Sequence, residues 1–230
     1  LRKLKIDSVF IGSLGSDDFG KKIIEQLNEL EVNLDFLQSN NYSSTRVVNV
    51  DRDQSGDRFF SGFEPSLHSH FADEALSIKL IKKELPNLEK CFLRTQYLVT
   101  GTNVLSSPIS AETIFFILEQ AKKSEVKVVI DLNWREVFWD YSNFASDISK
   151  KSRINLIKNF LNHAHVIKLA KEEATLFFEI ENPLLISQQM SKRPDVIITD
   201  GKNPVSWHIN GFQGNTKIPK SKKIVDTTGA

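Results

Sequence analysis

The sequence has a single cysteine, Cys91, among 230 residues. One thiol makes neither an intrachain disulfide framework nor a thiolate metal site, and it suits a reducing, cytoplasmic setting. No apolar run reaches the roughly 18 residues of a membrane span. No signal-peptide pattern opens the sequence as given. Charge of one sign is also scarce in excess: 30 basic residues face 29 acidic ones, a formal net charge of +1. That balance predicts neither a nucleic-acid partner nor an anionic membrane surface.

Several nucleotide and hydrolase signatures are missing as well. Gly12, Gly15 and Gly20 are spaced three and five apart, which is not G-x-G-x-x-G. No G-K-[ST] follows a glycine-rich loop, no H-E-x-x-H is present, and no G-x-S-x-G elbow occurs. Two nucleotide folds, a zinc-protease site and a nucleophile-elbow hydrolase are thereby set aside.

What is present is a chain 40% hydrophobic and 26% charged, suited to one α/β domain. Short β-branched runs alternate with helical periodicity. "SVFIG" (8–12), "LDFLQ" (34–38), "YLVTG" (97–101), "VKVVIDLN" (126–133), "HVIKL" (165–169), "DVIITDG" (195–201), "VSWHI" (205–209) and "KIVD" (223–226) read as strands. "DDFGKKIIEQLNELE" places Phe19, Ile23, Leu27 and Leu30 on one helical face, and 72–85, 107–123, 144–164 and 171–178 also read as helices. "SLGSDDFG" (13–20) reads as a loop, and 45–63 as two strands around the polar turn "DRDQSGD". Such alternation predicts a mostly parallel sheet, with ligands beyond the carboxyl ends of its strands. Both ends of the sequence fall within expected elements, so the chain is expected to be part of a longer protein.

The chemistry-bearing residues cluster at those strand ends. Asp131, Asn133 and Arg135 alternate, which on an extended segment puts three polar groups on one side. Arg135 offers a planar fork for oxyanions; a surface ion pair flanked by core tryptophans is the competing account. Lys168 precedes Glu172 and Glu173, which either complement a helix dipole or organise Mg²⁺ through water. Thr199 to Gly201 form a turn between strands, or a support for a nucleotide. The final "VDTTGA" combines Asp226, Thr227, Thr228, Gly229 and Ala230. If a helix begins there, its free N–H groups hold an anion; an ordinary strand-to-helix turn needs the same residues. The histidines show no ligand spacing.

Taken in order, these stretches resemble the ribokinase-like (pfkB-type) carbohydrate kinases. "IGSLGSDDFG" is similar to that family's first signature, G-x-x-G-x-D-x-F-G, and "VDTTGA" to the opening of its second, D-T-x-G-A-G-D. "DLNWREVFW" resembles the D-x-N-x-R…W segment of the fructokinase-like branch. The resemblance implies a ribokinase-like three-layer α/β/α domain over 1–230, incomplete at both termini, with a small β-lid at about 43–65. It implies transfer of the ATP γ-phosphoryl group, with Mg²⁺, to a hydroxyl of fructose or a similar ketose. A monovalent cation and a homodimer through the lid also belong to that picture. Gly229 and Ala230 then form the anion hole with Arg135 beside it. Asp131, Asn133 and Arg135 face the sugar. Lys168, Thr199, Gly201, Asp226, Thr228 and Gly229 lie on the nucleotide side, and Glu173 meets the metal through water.

The sequence departs from the family pattern in places. The catalytic Asp of the second signature is expected just after Ala230, and the sugar-binding Asp and Gly-Gly before Leu1. Ala170 stands where an Asn is common. "FEPSLHSHFAD" keeps Pro65, Ser66, Ala72 and Asp73 of the lid motif Y-R-N-P-S-A-D but lacks its Arg and carries an insertion. A catalytically inactive kinase-like structural or regulatory protein, and a kinase for 2-keto-3-deoxygluconate or a nucleoside, are the alternatives.

Overall fold

The computed structural model describes residues 1–52, 58–63, 70–140 and 150–219. Strand β1 (Val9–Gly15) leads into helix α1 (Asp18–Glu29), which returns to strand β2 (Asn33–Asn40), parallel to β1. β1 thus runs through Ser13–Gly15, where the sequence predicts a loop. Helix α1 starts as expected, with the Asp17 side chain accepting from Gly20 N at 2.8 Å. Its apolar face is only partly covered: Ile23 and Leu27 are half-buried, while Phe19 is 48% and Leu30 39% exposed. Strands β3 (Val48–Arg52) and β4 (Arg58–Phe63) form the expected antiparallel hairpin.

The stretch 72–85 is not one helix. A 3-10 turn (Ala72–Ala75) is followed by helix α2 (Ile78–Lys83) and helix α3 (Leu85–Phe92). The break has a tertiary cause. The carbonyl of Glu74 accepts from Ser107 Oγ at 2.7 Å and that of Leu76 from Thr113 Oγ1 at 2.7 Å. The side chain of Gln38 brackets Ser77, accepting its N–H and donating to its carbonyl. Main-chain groups that would continue a helix are drawn to other elements.

Strand β5 (Tyr97–Gly101) leads through a 3-10 turn (Thr102–Ser106) into helix α4 (Pro108–Lys123), with Pro108 opening the helix as expected. Ser107 occupies the N-cap position, but its hydroxyl is turned to Glu74. Then come strand β6 (Lys127–Asp131), helix α5 (Glu136–Asp140), helix α6 (Lys150–Leu161), strand β7 (Val166–Ala170), helix α7 (Lys171–Phe178) and helix α8 (Pro183–Gln189). Strands β8 (Asp195–Asp200), β9 (Asn203–Ile209) and β10 (Phe212–Thr216) complete the described elements. Of these, α3, α5, α8 and β10 are not anticipated from periodicity. The expected strand at 223–226 and the helix start at 144–149 lie outside the described residues.

Six strands form one sheet in the order β10-β9-β8-β7-β6-β5. β5 to β8 are parallel and β9 and β10 antiparallel, so the sheet is mostly parallel. Ile130, Leu132, Ile167, Leu169 and Val196 are fully buried, packed in one core with Ile117, Leu118, Ile157 and Phe160. Covering each such Leu or Ile contributes roughly 1.5–3 kcal/mol. That packing holds the strands in register, so Gly101, Asp131, Lys168 and Ile197 lie on one level across four strands. Polar side chains at the carboxyl ends therefore share one rim.

Candidate functional site

The loop leaving β6 is pinned from three sides. Leu132 N donates to Lys168 O at 2.8 Å, and Leu132 O accepts from the buried Thr102 hydroxyl at 2.5 Å. Trp134 N donates to Glu173 Oε1. Asn133 has φ +42°, so the segment does not stay extended and the alternation argument for Asp131, Asn133 and Arg135 fails. Asn tolerates this left-handed backbone better than most residues. Arg135 follows the turn, half-buried, and its Nη1 donates to Trp134 O at 2.8 Å. Trp134 and Trp139 pack together at 5.3 Å, and Trp139 is fully buried.

Asp131 and Lys168, register partners on neighbouring strands, form an ion pair at 3.1 Å that is partly exposed. Glu173, 7% exposed, accepts from Ala170 N at 2.7 Å with one oxygen and from Trp134 N with the other. This is half of a capping box, because Ala170 has no side-chain oxygen to return the bond. Burial pushes the Glu173 carboxyl above the usual glutamate range. The two N–H donors and Lys168 pull the other way without prevailing, and Asp131 adds to the rise. Through these two bonds Glu173 ties α7 to the β6 loop.

One strand further along the rim, Thr199 lies opposite Ala170. Gly201 forms the turn into β9 with φ +51°, a backbone that suits glycine. Lys171 bridges this turn to the α7–α8 connection, 3.4 Å from Asp200 and 3.4 Å from Glu181. Asp131, Asn133, Arg135, Lys168, Thr199 and Gly201 thus share the carboxyl rim. Asp226, Thr228, Gly229 and Ala230 lie outside the described residues. A depression of about 650 Å³ bordered by Glu181, Trp207 and Asn215 opens between the α7–α8 connection and strands β9 and β10.

A second cluster occupies the carboxyl end of β1. Asp17 accepts from Gly20 N at 2.8 Å and Thr45 N at 2.6 Å. Partial burial opposes its ionisation, but these N–H groups and the Thr45 hydroxyl hold it below the usual aspartate range. Gly15 and Gly20 serve packing here. A Cβ on Gly20 would lie 1.9 Å from Gly15 O, so strand end and helix start meet backbone to backbone. Next to Thr45, Arg46 is held by Asp73 and Glu74, with Nε 3.0 Å from Asp73 and Nη2 2.7 Å from Glu74. Nothing in the local sequence marks Arg46 as special.

A family model described as pfkB family carbohydrate kinase matches residues 1–230. This chain belongs to the pfkB family. Among its curated relatives, probable fructokinase-5 of Arabidopsis thaliana is 27% identical over 235 residues, covering 100% of this chain and 66% of the relative. An ATP-dependent 6-phosphofructokinase of Thermoanaerobacterium thermosaccharolyticum is 23% identical over 241 residues, covering 100% and 65%. This pfkB-family chain thus spans about two thirds of the length of those relatives. The crystal structure of fructokinase from Xylella fastidiosa superposes with a TM-score of 0.78 at 22% identity, covering 96% of this chain and 64% of that one. The same fructokinase with bound ATP gives 0.75 at 22% identity, covering 93% and 61%. The fold is ribokinase-like α/β.

The described donors of this pfkB-family chain do not make a direct metal site. Among the described residues no three His, Cys, Asp or Glu side chains converge. Glu173 is turned to main-chain N–H groups, and Asp131 is paired with Lys168. Among the described residues no helix is long and apolar enough to cross a membrane.

Proposed function

We propose that the protein to which this chain belongs is a sugar kinase. It transfers the γ-phosphoryl group of MgATP to a hydroxyl of fructose or a similar ketose. The observation that carries this reading is the rim shared by Asp131, Asn133, Arg135, Lys168, Thr199 and Gly201 at the carboxyl ends of β6, β7 and β8. It lies where a parallel sheet exposes its polar strand ends, in a chain of the carbohydrate kinase family.

Phosphoryl transfer asks mainly for positioning and charge stabilisation. Arg135 supplies a delocalised cation and Asn133 an amide beside the acceptor. Lys168, steadied by Asp131, adds a second cation toward the phosphates, while Thr199 and Gly201 border the nucleotide. The magnesium ion enters with the nucleotide as part of the substrate. Gly229 and Ala230 supply the N–H cradle for the phosphoryl group in this reading. The β3–β4 hairpin covers the sugar and keeps water from competing.

Full-length protein with MgATP and a sugar panel, followed by coupled ADP release, tests the reading. Turnover of at least one sugar is expected, and Arg135→Ala should lower kcat ten-fold or more, about 1.4 kcal/mol of barrier. No turnover with any sugar or nucleoside overturns it.

A further inference from the structure

The guanidinium of Arg46 is enclosed on almost every side. Its side chain is only 6% exposed. The rings of Phe63 from the hairpin, Phe71 before the 3-10 turn, and Phe138 of α5 stand 4.7, 4.3 and 4.9 Å from its central carbon. Nε and Nη2, which share one edge of the planar fork, donate to Asp73 and Glu74. Nη1 lies on the opposite edge. It is buried and has no hydrogen-bond partner among the described residues. A buried donor left unpaired is costly, and hydrogen bonds to it are correspondingly valuable. The cluster sits where the hairpin meets the helix that follows Asn133 and Arg135. Phe138 N donates to Arg135 O at 3.1 Å.

Charge decides what oxygen the free edge accepts. Arg46 carries +1, while the ionised carboxylates of Asp73 and Glu74 together carry −2. The sum is −1, not positive. A carboxylate or phosphate gains no net attraction there, whereas a hydroxyl oxygen needs only the donor. Resting on the sugar-kinase reading, we propose that Arg46 binds the acceptor sugar. Its Nη1 donates to an uncharged hydroxyl oxygen once the hairpin covers the ligand, and its acidic edge disfavours sugar acids and sugar phosphates. The two curated relatives leave this open, since one is named for fructose and the other for a phosphofructose.

The experiment uses full-length protein at pH 8. ADP release is measured with neutral sugars, sugar acids and sugar phosphates, and acceptor binding by thermal shift without nucleotide. Neutral sugars should exceed both anionic classes by at least ten-fold in kcat/KM. R46K, which keeps the charge but not the fork, should raise the acceptor KM about ten-fold with the KM for ATP unchanged. The double variant Asp73→Asn, Glu74→Gln should narrow the neutral-to-anionic preference ten-fold. Preference for an anionic acceptor overturns the proposal while leaving the kinase reading intact, as does folded R46K with an unchanged acceptor KM. Should R46K not fold, the wild-type ranking of acceptors decides. Absence of ADP release with every acceptor removes the kinase reading itself, and this proposal with it.

Discussion

Asp17 and Glu173 do the same mechanical job at two places on the strand ends. Each carboxylate accepts one N–H from the start of its own helix and one from a distant segment, Thr45 for Asp17 and Trp134 for Glu173. Yet their acidities move in opposite directions. Asp17 gains a hydroxyl donor as well as its N–H groups, in a half-buried position, and stays below the ordinary range. Glu173 is buried more deeply and faces the carboxylate of Asp131, so desolvation and repulsion prevail. The same hydrogen-bond pattern is comfortable for a charge in one setting and strained in the other. Perturbation of this kind is frequent near functional sites, and it occurs here on the rim assigned to chemistry.

The sign of each shift sets its pH dependence. The depressed Asp17 contributes stability that is present above its unfolded value of 3.8 and lost as pH falls through the lower folded value. The raised Glu173 contributes stability that is fully present below 4.5 and lost as pH rises through its higher folded value.

Four substitutions probe the contrast. Gly20→Ala should have the largest effect, because the new Cβ meets the Gly15 carbonyl and not a flexible side chain. About 3 kcal/mol or more is expected in urea denaturation, and a loss under 1 kcal/mol would show that the helix start moves freely. Asp17→Ala should cost about 2–3 kcal/mol near neutral pH by removing a cap and an inter-segment bond. Its stability should also fall less steeply than wild type below pH 3.8. Glu173→Gln should cost about 1–2 kcal/mol, since one N–H loses its acceptor. The decline of stability above pH 4.5 that Glu173 imposes should vanish in this variant; if the profile keeps its slope, the strain has been placed on the wrong carboxylate. Lys168→Met should be smallest, about 0–1 kcal/mol for a partly exposed pair. It should move the Glu173 transition to still higher pH, which a pH series of melting temperatures reads directly.

Much of this architecture was legible because its signals are local. Short apolar strands, Pro108 at a helix start and the acidic first turn of α7 announce themselves within a few residues. The Asn210–Gly211 pair is an equally local signal. With φ +50° and +82° it makes the two-residue turn that joins Ile209 to Phe212 and defines β10. Asn182 before Pro183 likewise marks the start of α8. Other features were not local at all. No pattern in 72–85 says that Ser107 and Thr113 will take the carbonyls of Glu74 and Leu76. The same holds for the site. Asp131 and Lys168 meet because two strands share a register, which periodicity suggests. Arg46 becomes notable only when Phe63, Phe71 and Phe138 arrive from three separate segments.

The attachment of the hairpin has a mechanical side. Among the described residues β3 and β4 pair with each other and with no other strand, while Arg46 and its rings join them to the rest of the chain. A ladder of hydrogen bonds resists both shear and peeling. The Arg46 guanidinium is tied to Asp73 and Glu74 at 3.0 and 2.7 Å, and the ring of Phe63 is inclined at 61° to Phe71 and 71° to Phe138, so sliding in any direction breaks directed bonds as well as ring contacts. The flap is therefore mounted on something closer to a rivet than a sliding bearing.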